Sequence, residues 1–315
     1  MNTDTPMVSI RCITYNHEPY IRQCLEGFVM QKTNFKFEAI VHDDASTDHT
    51  ADIIREYAAK YPDIIKPIYE TENQYSKHDG SIRRIMDAAC TGKYMACCEG
   101  DDYWIDPFKL QKQVDFLEAN PEYSVCSGGF QKKKDGILGE KIIYHTKKQS
   151  GIGFTYNLED WMNKWYTKTL TVMYRANVLG EYREKYSKYK YARDVHLYYH
   201  ILKEGKGYYF SECFGVYNIH AGGVCSMVGG AINSKFAYEI WREIYTLNPG
   251  YLERMVFLNR IRRRILRGNL SLNEKLNLVK EFCNYANSLK DYVTLFIALL
   301  ISPKIIDAVK NGNSL

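Results

Sequence analysis

Short apolar runs alternate with stretches of helical periodicity through the first 130 residues. Met7–Thr14 is mostly apolar and rich in β-branched residues, the pattern of a strand covered on both faces. Tyr20–Met30 places Ile21, Leu25, Phe28 and Val29 at helical spacing, and Phe37–His42 reads as a second strand. Ser46 and Thr47 offer N-cap chemistry to a helix carrying Ile53, Ile54, Tyr57 and Ala58, which Pro62 closes. A strand over Ile64–Tyr69, a helix over Ser81–Ala89 and a strand over Tyr94–Cys98 continue the series. Pro107 opens a helix through Leu117, since proline is favoured in a first helical turn, and Tyr123–Cys126 starts another strand. Strands separated by helices of this length predict an α/β protein with a mostly parallel sheet flanked by helices on both faces.

The second half is less regular. Gln131–Gly151 is polar and rich in Gly and Lys, a loop or a hairpin. Leu158–Tyr166 and Val195–Lys203 have helical spacing, Thr169–Tyr174 and Tyr208–Tyr217 read as strands, and from about Gly230 the pattern is helical. No internal repeat or low-complexity tract interrupts the 315 residues.

Composition changes this picture little. Apolar residues make up 45% and charged residues 25%, as in an ordinary globular protein with a full-sized core. The nine cysteines are scattered and form no CxxC pair, which predicts reduced thiols and no zinc framework. The N-terminal residues lack a basic segment followed by an apolar one, so a cytoplasmic location is expected. Charge is uneven. Tyr251–Arg267 carries six arginines and a single acid, which accounts for the whole formal net charge of +5. Val293–Ile301 is apolar apart from Thr294, well short of the roughly 20 residues that a membrane span needs.

In sheets of this kind ligands bind beyond the carboxyl ends of the strands, and polar residues cluster there. Thr14, Tyr15 and Asn16 follow the first strand, Asp43 and Asp44 the second, and Glu99, Gly100, Asp101 and Asp102 the fourth. Asp101 and Asp102 repel one another unless a cation lies beside them, so they read either as a divalent metal site or as an acidic turn capping the next helix. Asp43 and Asp44 belong either to an N-cap cluster or to a site for base N–H groups and ribose hydroxyls.

Three blocks carry a specific likeness. V-S-I-R-C-I-T-Y-N-H, E-A-I-V-H-D-D-A-S-T-D-H-T and G-K-Y-M-A-C-C-E-G-D-D-Y-W-I-D-P-F-K-L-Q-K-Q resemble, in order and spacing, the nucleotide-binding half of family 2 glycosyltransferases. The resemblance implies a GT-A (Rossmann-like) domain over 1–228, with a nucleotide-binding half at 1–130 and an acceptor half at 131–228, followed by a helical extension over 229–315. It implies that Thr14, Tyr15, Asp43 and Asp44 hold the base and ribose, and that Glu99, Asp101 and Asp102 form the DxD-type element that meets ribose and the metal on the diphosphate. Asn16 beside the first strand end and Arg83, a position for specificity, are expected to bind the nucleotide-sugar with them. Mn²⁺ or Mg²⁺ is the implied cofactor, held by Asp101 or Asp102, with His220 reaching the metal or the diphosphate.

Tyr191-Ala192-Arg193-Asp194-Val195-His196-Leu197 resembles the family's acidic motif at a helix start, with Arg193 in place of the usual glutamate. The resemblance makes Asp194 the catalytic base; the plain alternative is an N-terminal charge favoured by the helix dipole. His196 lies two residues on, points elsewhere on a helix, and reads as surface or packing. Tyr217-Asn218-Ile219-His220-Ala221-Gly222-Gly223-Val224-Cys225-Ser226 resembles the family's Tyr-Arg-x-His element, with Asn218 in the arginine position.

The implied activity is inverting transfer of a sugar from a nucleotide-diphosphate sugar, a UDP-sugar favoured, to a glycan or lipid-linked glycan acceptor of a cell-surface polysaccharide. A hexosyl- or N-acetylhexosaminyl-transferase, metal-dependent and without a nucleic-acid partner, is expected. Two other classes share the fold. A nucleotidyltransferase would show a Gly-rich phosphate loop, yet residues 7–20 contain no glycine, and a non-catalytic nucleotide-sugar-binding protein would need no Asp194. The arginines of 251–267, set among Met255, Val256, Leu258, Ile261, Ile265 and Leu266, with apolar Val293–Ile306, suggest peripheral docking on the anionic inner face of the plasma membrane. The alternative is a helical cap with a solvated arginine face.

Overall fold

The computed structural model describes residues 5–146, 152–190, 193–222, 230–267 and 270–300. Expectations that fall on 147–151, 191–192, 223–226 and 301–306 lie outside them. The chain divides into two compact units, Met1–Ser187 with Leu197–His220, and Lys188–His196 with Ala221–Leu315.

The first unit opens with β1 (Val8–Thr14), α1 (Glu18–Val29), β2 (Phe37–Asp43), α2 (Thr50–Lys60), β3 (Ile65–Tyr69), α3 (Ser81–Ala89) and β4 (Tyr94–Cys97). β5 (Tyr103–Trp104), α4 (Lys109–Ala119), β6 (Tyr123–Lys134), β7 (Ile137–Ile142), β8 (Gly153–Tyr156), α5 (Leu158–Asn163), β9 (Met173–Arg175) and α6 (Gly180–Lys185) follow. α7 (Asp194–Glu204), which begins in the second unit, and β10 (Lys206–Ile219) close it. The sheet order is β3-β2-β1-β4-β9-β6-β10-β5, with β7 on β6 and β8 on β10.

The β3-β2-β1-β4 half is parallel, as the alternating pattern predicts. Val8, Ile10 and Cys12 of β1 and all four residues of β4 are buried, because helices cover both faces. Ile21, Cys24, Leu25 and Phe28 recur at helical spacing on α1 and pack into the same core. Beyond β4 the sheet is mixed: β9 enters antiparallel between β4 and β6, and β5, β7 and β8 add further antiparallel pairs. The Gln131–Gly151 segment begins as a hairpin. Asp135 and Gly136 adopt φ of 52° and 79° between paired Lys134 and Ile137, the two-residue turn whose twist suits a hairpin.

Three local expectations differ. Ser46 and Thr47 do not cap α2: the Ser46 hydroxyl donates to Asp43, and Asp48 takes the Thr50 N–H at 3.0 Å. Pro107 precedes α4 by two residues, outside its first turn. Thr169–Thr171 is a short 3₁₀ turn and the strand begins at Met173.

The second unit contains α8 (Gly230–Leu247), α9 (Tyr251–Arg267), α10 (Leu272–Tyr285) and α11 (Leu289–Leu300). Phe257 is the centre of its core, its ring 5.9 Å from Tyr238, 5.6 Å from Tyr245 and 5.6 Å from Tyr285. Arg254 of α9 pairs with buried Asp291 of α11 at 3.1 Å. Ser271 and Glu274 form a capping box at the start of α10. Phe257, Leu258, Ile261 and Ile265 of α9 face inward, whereas α11 leaves Leu289, Tyr292, Val293, Phe296 and Ile297 exposed.

Candidate functional site

The parallel strands bring their polar ends together. Thr14, the last residue of β1, pairs with Asp43 at the end of β2. The Asp44 N–H donates to the Thr14 carbonyl at 2.9 Å, and the Gly100 N–H to the Ile13 carbonyl at 3.0 Å. The segments after β1, β2 and β4 are therefore stitched side by side.

Several candidate residues hold this edge together. Asn16 sits at φ 52°, a conformation asparagine tolerates; its side-chain oxygen accepts the Thr47 N–H at 2.8 Å, and its own N–H donates to Ser46 Oγ at 2.9 Å. Asp44 is buried, and its two carboxylate oxygens accept the N–H groups of Gln74 at 2.6 Å and Tyr75 at 3.0 Å. Asp43 accepts the Ser46 hydroxyl at 2.5 Å, and burial raises its carboxyl above the ordinary range. Tyr15 is exposed beside these groups. Arg83 on α3 pairs with Asp87 at 2.7 Å and lies 3.9 Å from the Tyr186 ring centre; its Nε is buried without a hydrogen-bond partner. The Glu99 side chain is exposed, and its carbonyl accepts the Asp102 N–H at 3.0 Å.

The adjacent acids part company. Asp102 is buried and accepts the Asn218 N–H at 2.9 Å; burial, then the neighbouring Asp101 charge, pushes its carboxyl well above the ordinary range. Asp101 turns the other way. His220 Nε2 lies 3.0 Å from Asp101 Oδ2, and His17 Nε2 approaches the same oxygen at 4.0 Å. One donor atom from each of His17, Asp101 and His220 falls within 4.8 Å of the other two, among the described residues the sole such group. β5 pairs antiparallel with Gly215 and Val216 of β10, which carries the acids to the strand that ends at Ile219, one residue before His220. Asn218 then clamps the loop, its side chain donating to the Asp101 carbonyl at 2.5 Å. Thr14 Oγ1 and His17 Nδ1 are buried polar atoms without hydrogen-bond partners beside this group. Two imidazoles and a carboxylate whose donor atoms converge within 4.8 Å fit a bound divalent cation, and the unpartnered Thr14 hydroxyl beside them fits its anionic ligand.

Of the expected metal residues, the structure thus brings Asp101 and His220 together and turns Asp102 inward. It adds His17, a residue sequence reasoning passed over although it stands in the T-Y-N-H block directly after β1.

In the second unit, Asp194 is the exposed first residue of α7, one carboxylate oxygen accepting the Val195 N–H at 2.9 Å. Arg193 lies over the Phe236 ring at 4.7 Å. His196 is fully buried, its Nδ1 accepts the Arg193 N–H at 3.2 Å, and its ring packs 4.2 Å from Tyr189. It is a packing residue.

A parallel α/β half that gathers acids at its strand ends, continued by an antiparallel-flanked half, defines a GT-A-type protein. The chain belongs to glycosyl transferase family 2, whose family model matches residues 9–183. An uncharacterized protein of Mycobacterium tuberculosis is 50% identical over 119 residues, 38% of this chain and about a third (34%) of that relative's length. The putative teichuronic acid biosynthesis glycosyltransferase TuaG of Bacillus subtilis is 27% identical over 244 residues, 77% of this chain and 90% of that one. Among solved structures, TarS 1–349 of S. aureus in complex with UDP-GlcNAc superposes with a TM-score of 0.65 at 16% identity, covering 97% of this chain and 92% of that one. At that identity the likeness concerns the fold.

Proposed function

We propose that this protein transfers a hexosyl or N-acetylhexosaminyl group, with inversion, from a UDP-sugar to a glycan or lipid-linked glycan acceptor of a surface polysaccharide. The observation that carries the proposal is the cluster of His17, Asp101 and His220 at the strand ends of a family 2 chain. The similar TuaG is a putative teichuronic acid biosynthesis glycosyltransferase, and TarS, which shares the fold, binds UDP-GlcNAc; both support the substrate class.

In this reading Tyr15, Thr14 and Asp43 meet the base and ribose, while Asn16 and Asp44 hold the loops that shape their pocket. Arg83, stacked on Tyr186 with its Nε unpartnered, offers charge and a donor to the nucleotide. Asp101 and His220 hold the cation, Mn²⁺ or Mg²⁺, with Asp102 fixing the loop beneath. Once bound, a divalent ion offsets the negative charge that a diphosphate leaving group acquires. Asp194 accepts the proton of the attacking acceptor hydroxyl, and a single displacement at the anomeric carbon inverts its configuration without a covalent nucleophile.

The test is turnover of a donor panel of UDP-, GDP- and dTDP-sugars with lipid-linked acceptors, reading nucleoside diphosphate release and the product's anomeric configuration. Asp194→Asn, which keeps shape but cannot take a proton, is expected to lose about 10²-fold or more in turnover. Pyrophosphate release from a nucleoside triphosphate and a sugar 1-phosphate would instead identify a nucleotidyltransferase. Unaltered turnover in Asp194→Asn would remove the assigned base.

We also propose that the second unit docks on an anionic membrane surface from the cytoplasmic side. Among the described residues no helix is long and apolar enough to cross a membrane. The apolar face of α9 is buried in its own core, so the contact expected there moves to α11. Leu289, Tyr292, Val293, Phe296 and Ile297 recur at i, i+3, i+4, i+7 and i+8, an exposed apolar stripe in the same unit as the arginines of α9.

A further inference from the structure

We propose that His17 is a third metal ligand, and that the resulting set of two imidazoles and one carboxylate selects a transition-metal dication such as Mn²⁺ over Mg²⁺. This deepens the cation reading given above; ion binding itself is independent of sugar transfer.

The three donors come from distant segments, and each is held from behind. His17 is the N-cap of α1: its N–H donates to Thr50 Oγ1 at 2.9 Å, and its carbonyl accepts the N–H groups of Tyr20 and Ile21, both at 2.8 Å. The backbone is pinned on both sides, so the ring has only its own torsions to explore. His220 packs its ring 4.6 Å from that of Tyr20, which stands one turn along the same helix. Asp101 is fixed through its carbonyl by Asn218 and through the Asp102 anchor beside it. Such pinning is what a metal site requires, since ligands already in place lose little entropy on binding.

The spacing fits an ion. Two ligand atoms about 2.1 Å from one metal, at right angles, lie about 3 Å apart, and wider angles bring them toward 4 Å. The Nε2–Oδ2 separations of 3.0 Å for His220 and 4.0 Å for His17 span this range. A His–Asp hydrogen bond explains the first contact. It does not explain why a second imidazole converges on the same oxygen.

The donor atoms decide the metal. Mg²⁺ keeps oxygen ligands in near-octahedral geometry and sheds water reluctantly, whereas imidazole suits Fe²⁺, Ni²⁺ and Zn²⁺. Mn²⁺, the weakest binder of the transition-metal series, still accepts mixed nitrogen and oxygen ligands more readily than Mg²⁺. A site offering two nitrogens and one oxygen therefore disfavours Mg²⁺ before any nucleotide arrives.

The experiment titrates the purified full chain with Mn²⁺, following the loss of the free-ion EPR signal, and with Co²⁺, following its visible absorption. Both are run without nucleotide and with UDP, with Mg²⁺ as competitor, and thermal melts verify folding. Mn²⁺ is expected to bind at least about 10-fold tighter than Mg²⁺, and His17→Ala to weaken Mn²⁺ by about 10- to 100-fold, with added imidazole restoring part of the loss. His17→Gln, which retains a polar tip of similar reach, replaces it if the alanine variant does not fold. Wild-type Mn²⁺ affinity in the His17 variant, or Mg²⁺ bound as tightly as Mn²⁺, would overturn the proposal. Binding that depends on His17 in a protein that transfers no sugar would leave the metal site standing and remove the transferase reading alone.

Discussion

Gly100 separates Glu99 from Asp101, and the structure leaves it no room for a side chain. A Cβ there would lie 2.6 Å from Thr14 Cβ, 2.6 Å from Thr14 Oγ1 and 3.1 Å from His17 Nδ1. Ordinary contact between such atoms is about 3.5–4.0 Å, so Gly100→Ala must part the β1 end from the Asp101 loop by about 1 Å. Thr14 is fully buried in the sheet and His17 is tied to α1, so neither yields as a flexible side-chain tip would. Overpacking of this kind costs about 1–3 kcal/mol, which for a domain of this size lowers the melting temperature by roughly 2–10 °C. Because the displaced atoms belong to the metal group or border it, Mn²⁺ affinity should also fall by about 10-fold or more. Gly136→Ala is the control. Its φ of 79° strains an alanine by about 1 kcal/mol, but no atom lies within 4 Å of the new Cβ and the hairpin turn takes no part in the site. Melting curves and Mn²⁺ titrations of both variants separate the two effects. Wild-type Mn²⁺ affinity in Gly100→Ala, or an equal loss in Gly136→Ala, would refute the argued link between this glycine and the site.

The acids should separate in the same assay: Asp101→Asn is expected to lower Mn²⁺ affinity by about 10²-fold, whereas Asp102→Asn stays within a few-fold of wild type, and the reverse ranking would exchange their roles. Lys109 is fully buried, with Gln113 Oε1 at 2.7 Å and the Trp104 ring centre at 4.1 Å, and burial pushes its ammonium down to about 8. Between about pH 8 and 10.5 the unfolded chain holds that proton and the folded chain does not, so the stability of wild type relative to Lys109→Met should rise with pH by about 3 kcal/mol; a flat difference in urea unfolding between pH 7 and 10 would contradict this. Sedimentation with anionic liposomes should pellet the wild type at low salt and release it at high salt, with Phe296→Ser/Ile297→Ser and a variant carrying Gln at Arg262, Arg263 and Arg264 both left in the supernatant; equal pelleting of all three would make the second unit only a structural cap.

The parallel half of the sheet was legible because its signals are local. Met7–Thr14 and Tyr94–Cys98 are apolar enough to be buried on both faces, and the helices between them repeat at 3.6 residues, so β1, β2, β3 and β4 follow within a residue or two. The antiparallel entry of β9 was not legible: three residues, Met173–Arg175, carry too short a pattern, and their direction is set by partners on β4 and β6 far away in the chain. Helix capping failed for a related reason. Ser46 and Thr47 have the right chemistry for α2, but Asp43 and Asn16 from neighbouring strand ends take them up instead.

The candidate site divides along the same line. Motif order pointed to Asp101 and His220, yet it left Asp101 and Asp102 equivalent, and only the long-range pairing of β5 with β10 distinguishes them. That pairing brings the Asn218 N–H to Asp102 and leaves Asp101 facing His220. The two acids lie in the turn closed by the Asp102 N–H on the Glu99 carbonyl, just before β5, and the β5–β10 pairing buries one and presents the other. Which acid is presented depends on an interaction 116 residues away in the chain, beyond the reach of any local pattern. His17 is the sharper case. In sequence it stands where a helix begins, with Pro19 two residues on, and nothing nearby marks it as a donor. Its ring meets Asp101 only because β1 pairs with β4, which fixes the distance between the end of one strand and the loop after the other. A three-donor site built from the ends of β1, β4 and β10 is thus a property of strand order, and a substitution that loosens that order should affect ion binding before it affects the core.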